Sequence, residues 1–175
     1  MWYVIQVTEG STENAVSKCR NAFPETSYSK MFIPMYERKH KTGGEWFIVR
    51  KELFSGYFFV DSDNGAAIEE CLKPLSRFVK PVCVGKDFVP IREDEQKMLE
   101  SLFNSEKVIA VSKGDIVNGE YEIYEGPLIG KGTIIRRVNR HKRIGEVEIS
   151  LHGEPRRVRI GLEIVNKTMK EEMSA

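Results

Sequence analysis

The chain has few of the residues from which most chemical sites are built. It holds three cysteines, Cys19, Cys71 and Cys83, and none belongs to a Cys-x-x-Cys pair. Three thiols cannot all pair with one another, so reduced thiols in a cytoplasmic protein are expected. All three sit among apolar neighbours and read as small core residues. His40, His141 and His152 are scattered, and none stands at metal-ligand spacing from a cysteine or another histidine. There is no run of about 18 apolar residues, which argues against a membrane-spanning helix. The opening residues lack the basic-then-apolar order of an export signal, so no export is expected. Asp61-Ser62-Asp63-Asn64-Gly65 begins like a calcium loop, but Gly65 falls on its fifth position and Leu72 on its twelfth, where glutamate is needed. Gly126 to Gly132 carries no Lys-Ser/Thr and is followed by strand-like sequence, which excludes a nucleotide-cradling P-loop. No nucleophile and base can be placed together from the sequence. The expectation is a protein that is not an enzyme and needs neither cofactor nor metal.

What is present is a segregated charge and a clear β pattern. The 175 residues carry a net charge of only +1. Residues 131–167 nevertheless hold ten Lys/Arg against four acids, a local excess of about +6. This tail opens with Gly126-Pro127-Leu128-Ile129-Gly130-Lys131-Gly132, a loop by composition. Thr133 to Val138, Glu146 to Leu151 and Arg157 to Ile160 follow. Val147, Ile149 and Leu151 recur with period two, as do Val158 and Ile160, so each segment reads as a strand with one buried face. Ile116-Val117 and Tyr121 to Tyr124 are expected to be the first of about five strands closing a small barrel. Abundant β-branched residues favour strand over helix throughout the tail. The loop followed by strands resembles a KOW domain.

The first hundred residues alternate strand and helix patterns. Trp2 to Thr8 reads as a strand. Ser11 precedes a helical run through Ala15, Val16 and Cys19 that must stop before Pro24. Residues 28–36 read as a strand, with Pro34 tolerated only near an edge or an end. Lys41 to Gly44 is a turn, and Trp46 to Arg50 resumes an extended segment. Leu53 to Val60 is an aromatic strand containing Gly56. Asn64-Gly65 opens a helix carrying Ile68, Cys71, Leu72 and Leu75, and Val79 to Val84 is a short strand. A third helix covers roughly 93–103, with Met98, Leu99, Leu102 and Phe103 on one face. The expected class is α+β: an α/β sandwich over 1–105 with a mostly antiparallel sheet, a linker at 106–112, and a small β-barrel over 113–175.

The ordered set of Trp2-Tyr3-Val4-Ile5-Gln6-Val7, Met31-Phe32-Ile33-Pro34, Leu53 to Val60 and the KOW-like tail resembles the NusG family of bacterial transcription elongation factors. The resemblance covers nearly the whole chain, and the basic tail suggests a specialised antitermination paralogue. The family usually places proline before the glycine of the aromatic strand, where this chain has Ser55. The strand should survive that change, with an altered polymerase-facing loop. The resemblance implies an N-terminal domain that offers an apolar pocket to the coiled-coil clamp of RNA polymerase. Phe32, Pro34, Phe54 and Tyr57 are the candidates to line or support it, although each could equally be core. It further implies a cytoplasmic monomer. Its expected partners are RNA polymerase and nascent RNA, a hairpin being one form, with another elongation factor or a ribosomal protein as a further candidate. A ribosome- or RNA-associated KOW protein without polymerase contact is the alternative.

The candidate RNA-binding residues come from the charge pattern. Arg136, Arg137, Arg140, His141, Lys142 and Arg143 fill six of eight positions in the basic link. They read either as a solvated hairpin tip or as a phosphate-binding finger, and arginine's planar fork favours the second. Arg156, Arg157 and Arg159 form a second set. Arg157 and Arg159 share one face, opposite Val158 and Ile160. This second set is expected one strand away from the first, and arginines on neighbouring strands can form one surface.

Overall fold

The computed structural model describes residues 1–169. Residues 170–175, the end of the expected 113–175 domain, lie outside the described residues. In chain order the main elements are β1 (Trp2–Val7), α1 (Thr12–Ala22), β2 (Lys30–Phe32), β3 (Met35–Thr42), β4 (Glu45–Glu52), β5 (Tyr57–Asp61), α2 (Gly65–Leu72), β6 (Val79–Pro81), α3 (Glu93–Leu102), β7 (Val108–Ile109), β8 (Ser112–Val117), β9 (Glu120–Glu125), β10 (Ile135–Asn139), β11 (Ile144–Leu151) and β12 (Glu154–Thr168). The class is α+β, with an N-terminal sandwich and a β-rich C-terminal part. The backbone packs as two units. Among the described residues, one comprises Met1–Pro34, Phe54–Glu100 and Ser150–Glu154; the other comprises Met35–Leu53, Ser101–Ile149 and 155–169.

The first unit is built on an antiparallel sheet in the order β2-β5-β1-β6. Directly paired residues share a face, so the register sorts its side chains. Ile5 pairs with Phe58 and Met31 with Val60, which places these four on one face. They pack against Ala15, Val16 and Cys19 of α1 and Ile68 and Leu72 of α2. Ser11 caps α1 by accepting from the Asn14 N–H at 3.1 Å, and Asn64 caps α2 by accepting from the Ala67 N–H at 3.1 Å. The opposite face carries Trp2, Phe32 and Phe59, because Val4 and Phe32 both pair with Phe59. The aromatic alternation in β5 therefore sends Phe58 to the helices and Tyr57 and Phe59 to a second layer.

Glu95 anchors another part of this unit. It sits in the first turn of α3 and accepts from the Arg92 N–H at 2.9 Å, reaching back over the helix start as a capping glutamate does. Its two oxygens also accept from the Ser150 hydroxyl at 2.6 Å and from the N–H groups of His152 and Gly153, each at 2.9 Å. Burial alone would raise this carboxyl's pKa. The hydrogen bonds to the charged form outweigh burial and hold it below the ordinary glutamate value.

The second unit contains a three-stranded sheet in the order β4-β3-β7 and a five-stranded sheet in the order β10-β11-β12-β8-β9. The tail is strand, as its β-branched content predicts. Ile135, Val147, Ile149, Val158, Ile160, Leu162 and Ile164 are buried, and Leu128 from the Gly/Pro loop is fully buried. The Leu128 N–H donates to the Ser112 hydroxyl at 3.1 Å. Gly126 (φ +96°) passes so close to this strand that a Cβ would stand 2.7 Å from the Ser112 Cα. Gly161 of β12 lies against β3, where a Cβ would collide with the Glu37 carbonyl.

Several expectations require correction. The strand expected at 28–36 is two strands, broken at Ile33-Pro34, because proline has no N–H to offer the ladder. The aromatic strand begins only at Tyr57. Leu53 to Gly56 form a turn, in which the Tyr57 N–H donates to the Phe54 carbonyl at 3.0 Å and Gly56 takes φ +80°. The strand expected from Val79 to Val84 ends at Pro81, again a residue that cannot donate to the ladder. Cys19 is buried as expected, with its thiol pushed up to about 11 by burial and by Cys71, but Cys83 is exposed rather than core. Val108 and Ile109, within the expected linker, form β7 and pair with Met35 and Tyr36.

Candidate nucleic-acid interface

The basic link is half strand and half turn. Arg136 and Arg137 belong to β10, and Arg140, His141, Lys142 and Arg143 form the loop closed by the Asn139–Ile144 pair. Asn139 holds that loop, its side-chain oxygen accepting from the Lys142 N–H at 3.0 Å. Arg143 takes φ +53°, a left-handed conformation more typical of glycine or asparagine.

The structure divides the candidate arginines into two groups. Arg136 is engaged: its Nε donates to Glu148 at 2.6 Å, and it also donates to the Thr133 carbonyl. Arg143 is engaged too. Its guanidinium lies over the Trp46 ring, and its Nη1 stands 3.4 Å from Glu163. Glu163 also accepts from Lys39 at 2.7 Å. Burial raises the Glu163 pKa, but Lys39, Arg143 and Lys113 together hold it below the usual carboxylate value. By contrast, Arg137, Arg140, His141, Lys142, Arg156, Arg157 and Arg159 are exposed and take no part in these pairings.

The two arginine sets are not on adjacent strands. β11 lies between β10 and β12 and places Glu146 and Glu148 between them. The acids' positions follow from period two, since Val147 and Ile149 occupy the buried parity. The sets still converge at one place, a cavity of about 180 Å³ lined by Arg137, Asn139, Lys142, Ile144, Glu146 and Arg159. A polyanion can therefore meet a basic rim with a small polar hollow in it.

Phe32 and Tyr57 lie on the sheet face opposite α1 and α2, and Pro34 and Phe54 stand in the segments that follow β2 and precede β5. Phe32 meets Trp2 edge-on with ring centres 5.1 Å apart, and Phe54 stacks on Phe59 at 5.8 Å. Phe32, Pro34 and Phe54 are buried and Tyr57 is half-buried. Phe32 and Phe54 pack within this aromatic layer, and Tyr57 is the least buried of the four.

Sequence reasoning missed Trp46. It singled out the arginines and treated Trp46 to Arg50 only as an extended segment. Phe47 and Ile48, next to Trp46, are 51% and 60% exposed. Three consecutive large apolar residues beside a Gly-Gly turn were the available signal. Among the described residues no three His, Cys, Asp or Glu could hold a metal ion, and no helix is long and apolar enough to cross a membrane.

The fold and this surface define a class: a two-part α+β chain with an N-terminal sandwich, whose β-rich tail presents a basic face. Residues 1–100 match the family described as "Transcription termination factor nusG". The match covers more than half of the chain, and the chain belongs to the NusG family. It is 29% identical to "Transcription elongation factor Spt5" of Methanocaldococcus jannaschii over 124 residues, 69% of this chain and 76% of that protein. Its fold is similar to the structure titled "Domain interaction in Thermotoga maritima NusG", with a TM-score of 0.56 and 18% identity over 93% of both chains. The family is one of transcription factors, which gives this protein a general role in transcription.

Proposed function

We propose that this protein is a transcription processivity or antitermination factor, a specialised member of its family resembling the antiterminator LoaP. Its N-terminal domain, residues 1–105, rides on RNA polymerase through the aromatic face that includes Tyr57. Its tail, residues 113–175 after a linker at 106–112, is a KOW domain that engages nascent RNA. The observation that carries this reading is the segregation of charge. An N-terminal half with an apolar aromatic layer is joined to a tail in which seven of the nine candidate basic residues are both exposed and uncommitted to the pairings of Arg136 and Arg143. Phosphate supplies the complementary charge, and arginine can both pair with it and stack on bases. A polymerase factor must also keep its hold while RNA sequence changes, and phosphate contacts satisfy that requirement.

The test is an in-vitro elongation assay past an intrinsic terminator, with and without the full chain. It is paired with co-purification of core polymerase and crosslinking of the transcript. The expected result is increased read-through, retained polymerase and crosslinks to the tail. RNA crosslinks without retained polymerase would favour the ribosome- or RNA-associated alternative.

A further inference from the structure

The cavity between β10 and β12 contains more than positive charge. Arg137, Lys142 and Arg159 supply cations, but Glu146 supplies a carboxylate and Asn139 an amide. Glu146 is half-buried, and among the described residues its carboxylate has no hydrogen-bond or ion-pair partner, although Arg137 is its direct cross-strand neighbour. The Asn139 oxygen is already used by the Lys142 N–H, which leaves its NH2 group to donate. Ile144 provides an apolar wall.

A bare phosphate would engage the three cations but give the Glu146 carboxylate no donor, so it leaves part of this set unused. The volume also restricts the ligand. About 180 Å³ falls below the range typical of drug-sized ligands. A single nucleobase is of the right size. Of the four RNA bases, guanine alone presents two adjacent donors, N1–H and the exocyclic amine, to a carboxylate. Its other edge presents O6 and N7, which an arginine meets in bidentate fashion. Cytosine and adenine each offer one amino donor group beside a ring-nitrogen acceptor, and uracil offers one N–H flanked by carbonyls.

We infer that this cavity is a subsite for one unstacked guanine, with Glu146 reading its donor edge, Arg137 or Arg159 its acceptor edge, and Lys142 the adjoining phosphate. The inference rests on the reading of the tail as an RNA-binding surface. It adds a base-reading element to a face otherwise suited only to sequence-independent contact. A guanine exposed in a loop or bulge is the form that can enter, since paired bases hide the donor edge.

The test uses the full chain and fluorescent RNA hairpins of identical stem with an all-uridine loop. One loop position carries guanine, adenine, cytosine, uracil or inosine. Guanine should bind roughly tenfold more tightly than the other three bases, the discrimination expected of one good bidentate contact. Inosine, which lacks the exocyclic amine, should lose part of that preference. Glu146→Gln should abolish the guanine preference while keeping binding and its salt dependence, because an amide cannot accept from both donors. Equal binding of all loops, or a preference that survives Glu146→Gln, overturns the guanine subsite while leaving the RNA reading in place. Absence of salt-dependent binding by every hairpin overturns the RNA reading and the subsite together.

Discussion

The guanidinium carbon of Arg143 lies 3.9 Å from the centre of the Trp46 ring, so a residue from the basic loop is committed to the β3–β4 hairpin. With Glu163 also 3.4 Å away, Arg143 ties hairpin, loop and β12 together. Arg143→Ala should therefore lower stability by about 0.5–2 kcal/mol, the range for a partly desolvated cation–π contact. Arg140→Ala, a change at an exposed loop position, should leave the denaturant midpoint nearly unchanged. Urea titration of the two variants checks this, and equal midpoints would refute the structural role of Arg143.

The freely exposed cations should dominate RNA binding. Replacing Arg137, Arg140 and Lys142 together by Ala should cost on the order of 1–3 kcal/mol and reduce the slope of log affinity against log salt by about 2, at roughly 0.7 for each single-strand phosphate that is no longer neutralised. Arg136→Ala should cost less, because Glu148 already holds that guanidinium. Anisotropy titrations at several salt concentrations measure both quantities. An unchanged slope in the triple variant would make the loop a merely solvated turn.

Glu95 should make the first unit sensitive to acid. Its folded carboxyl is held below its ordinary value, so the stability it contributes is fully present above the unfolded carboxylate value of about 4.3. That contribution is lost as pH falls through the lower folded value. Glu95→Ala leaves the Ser150 hydroxyl and three backbone N–H groups without their acceptor, which should cost on the order of 2–4 kcal/mol at neutral pH. The wild-type protein should lose its advantage over Glu95→Ala as pH drops below about 4. Thermal melts across the acid-to-neutral range would show a constant gap between the two if the carboxylate were not responsible.

The aromatic face separates a folding role from a binding role. Phe54→Ala removes a buried ring that stacks on Phe59 and should destabilise by about 3–5 kcal/mol. Tyr57 is half-buried on the same face, and Tyr57→Ala should weaken co-purification with core polymerase at a smaller cost in stability. Polymerase retained at wild-type levels by a folded Tyr57→Ala protein would remove this residue from the contact.

Local rules are enough to read much of this chain. Ser11 and Asn64 mark helix starts because their short side chains satisfy backbone N–H groups three residues on, with no help from the rest of the fold. The alternation of Val147, Ile149, Val158 and Ile160 with charged residues makes β11 and β12 legible for the same reason: a strand's period is a property of its own backbone. The excess of positive charge in the tail needs only counting.

Tertiary structure alone decided which charges are available. Arg136 and Arg143 look the same as Arg137 and Arg140 in the sequence, and only tertiary structure brings Glu148 to the first, by strand pairing, and Trp46 of another sheet and Glu163 to the second. The order β10-β11-β12 likewise inserts two acids between arginine sets that period-two reasoning would let lie side by side, and leaves Glu146 facing a hollow. Pairing partners far apart in sequence are chosen by the burial of opposite faces across the whole sheet, which no local window contains. Sequence by itself thus determined most of the elements and the sign of the surface, while the fold decided where strands break at Pro34 and Pro81, which basic groups are held by acids or Trp46, and which remain free to meet a ligand.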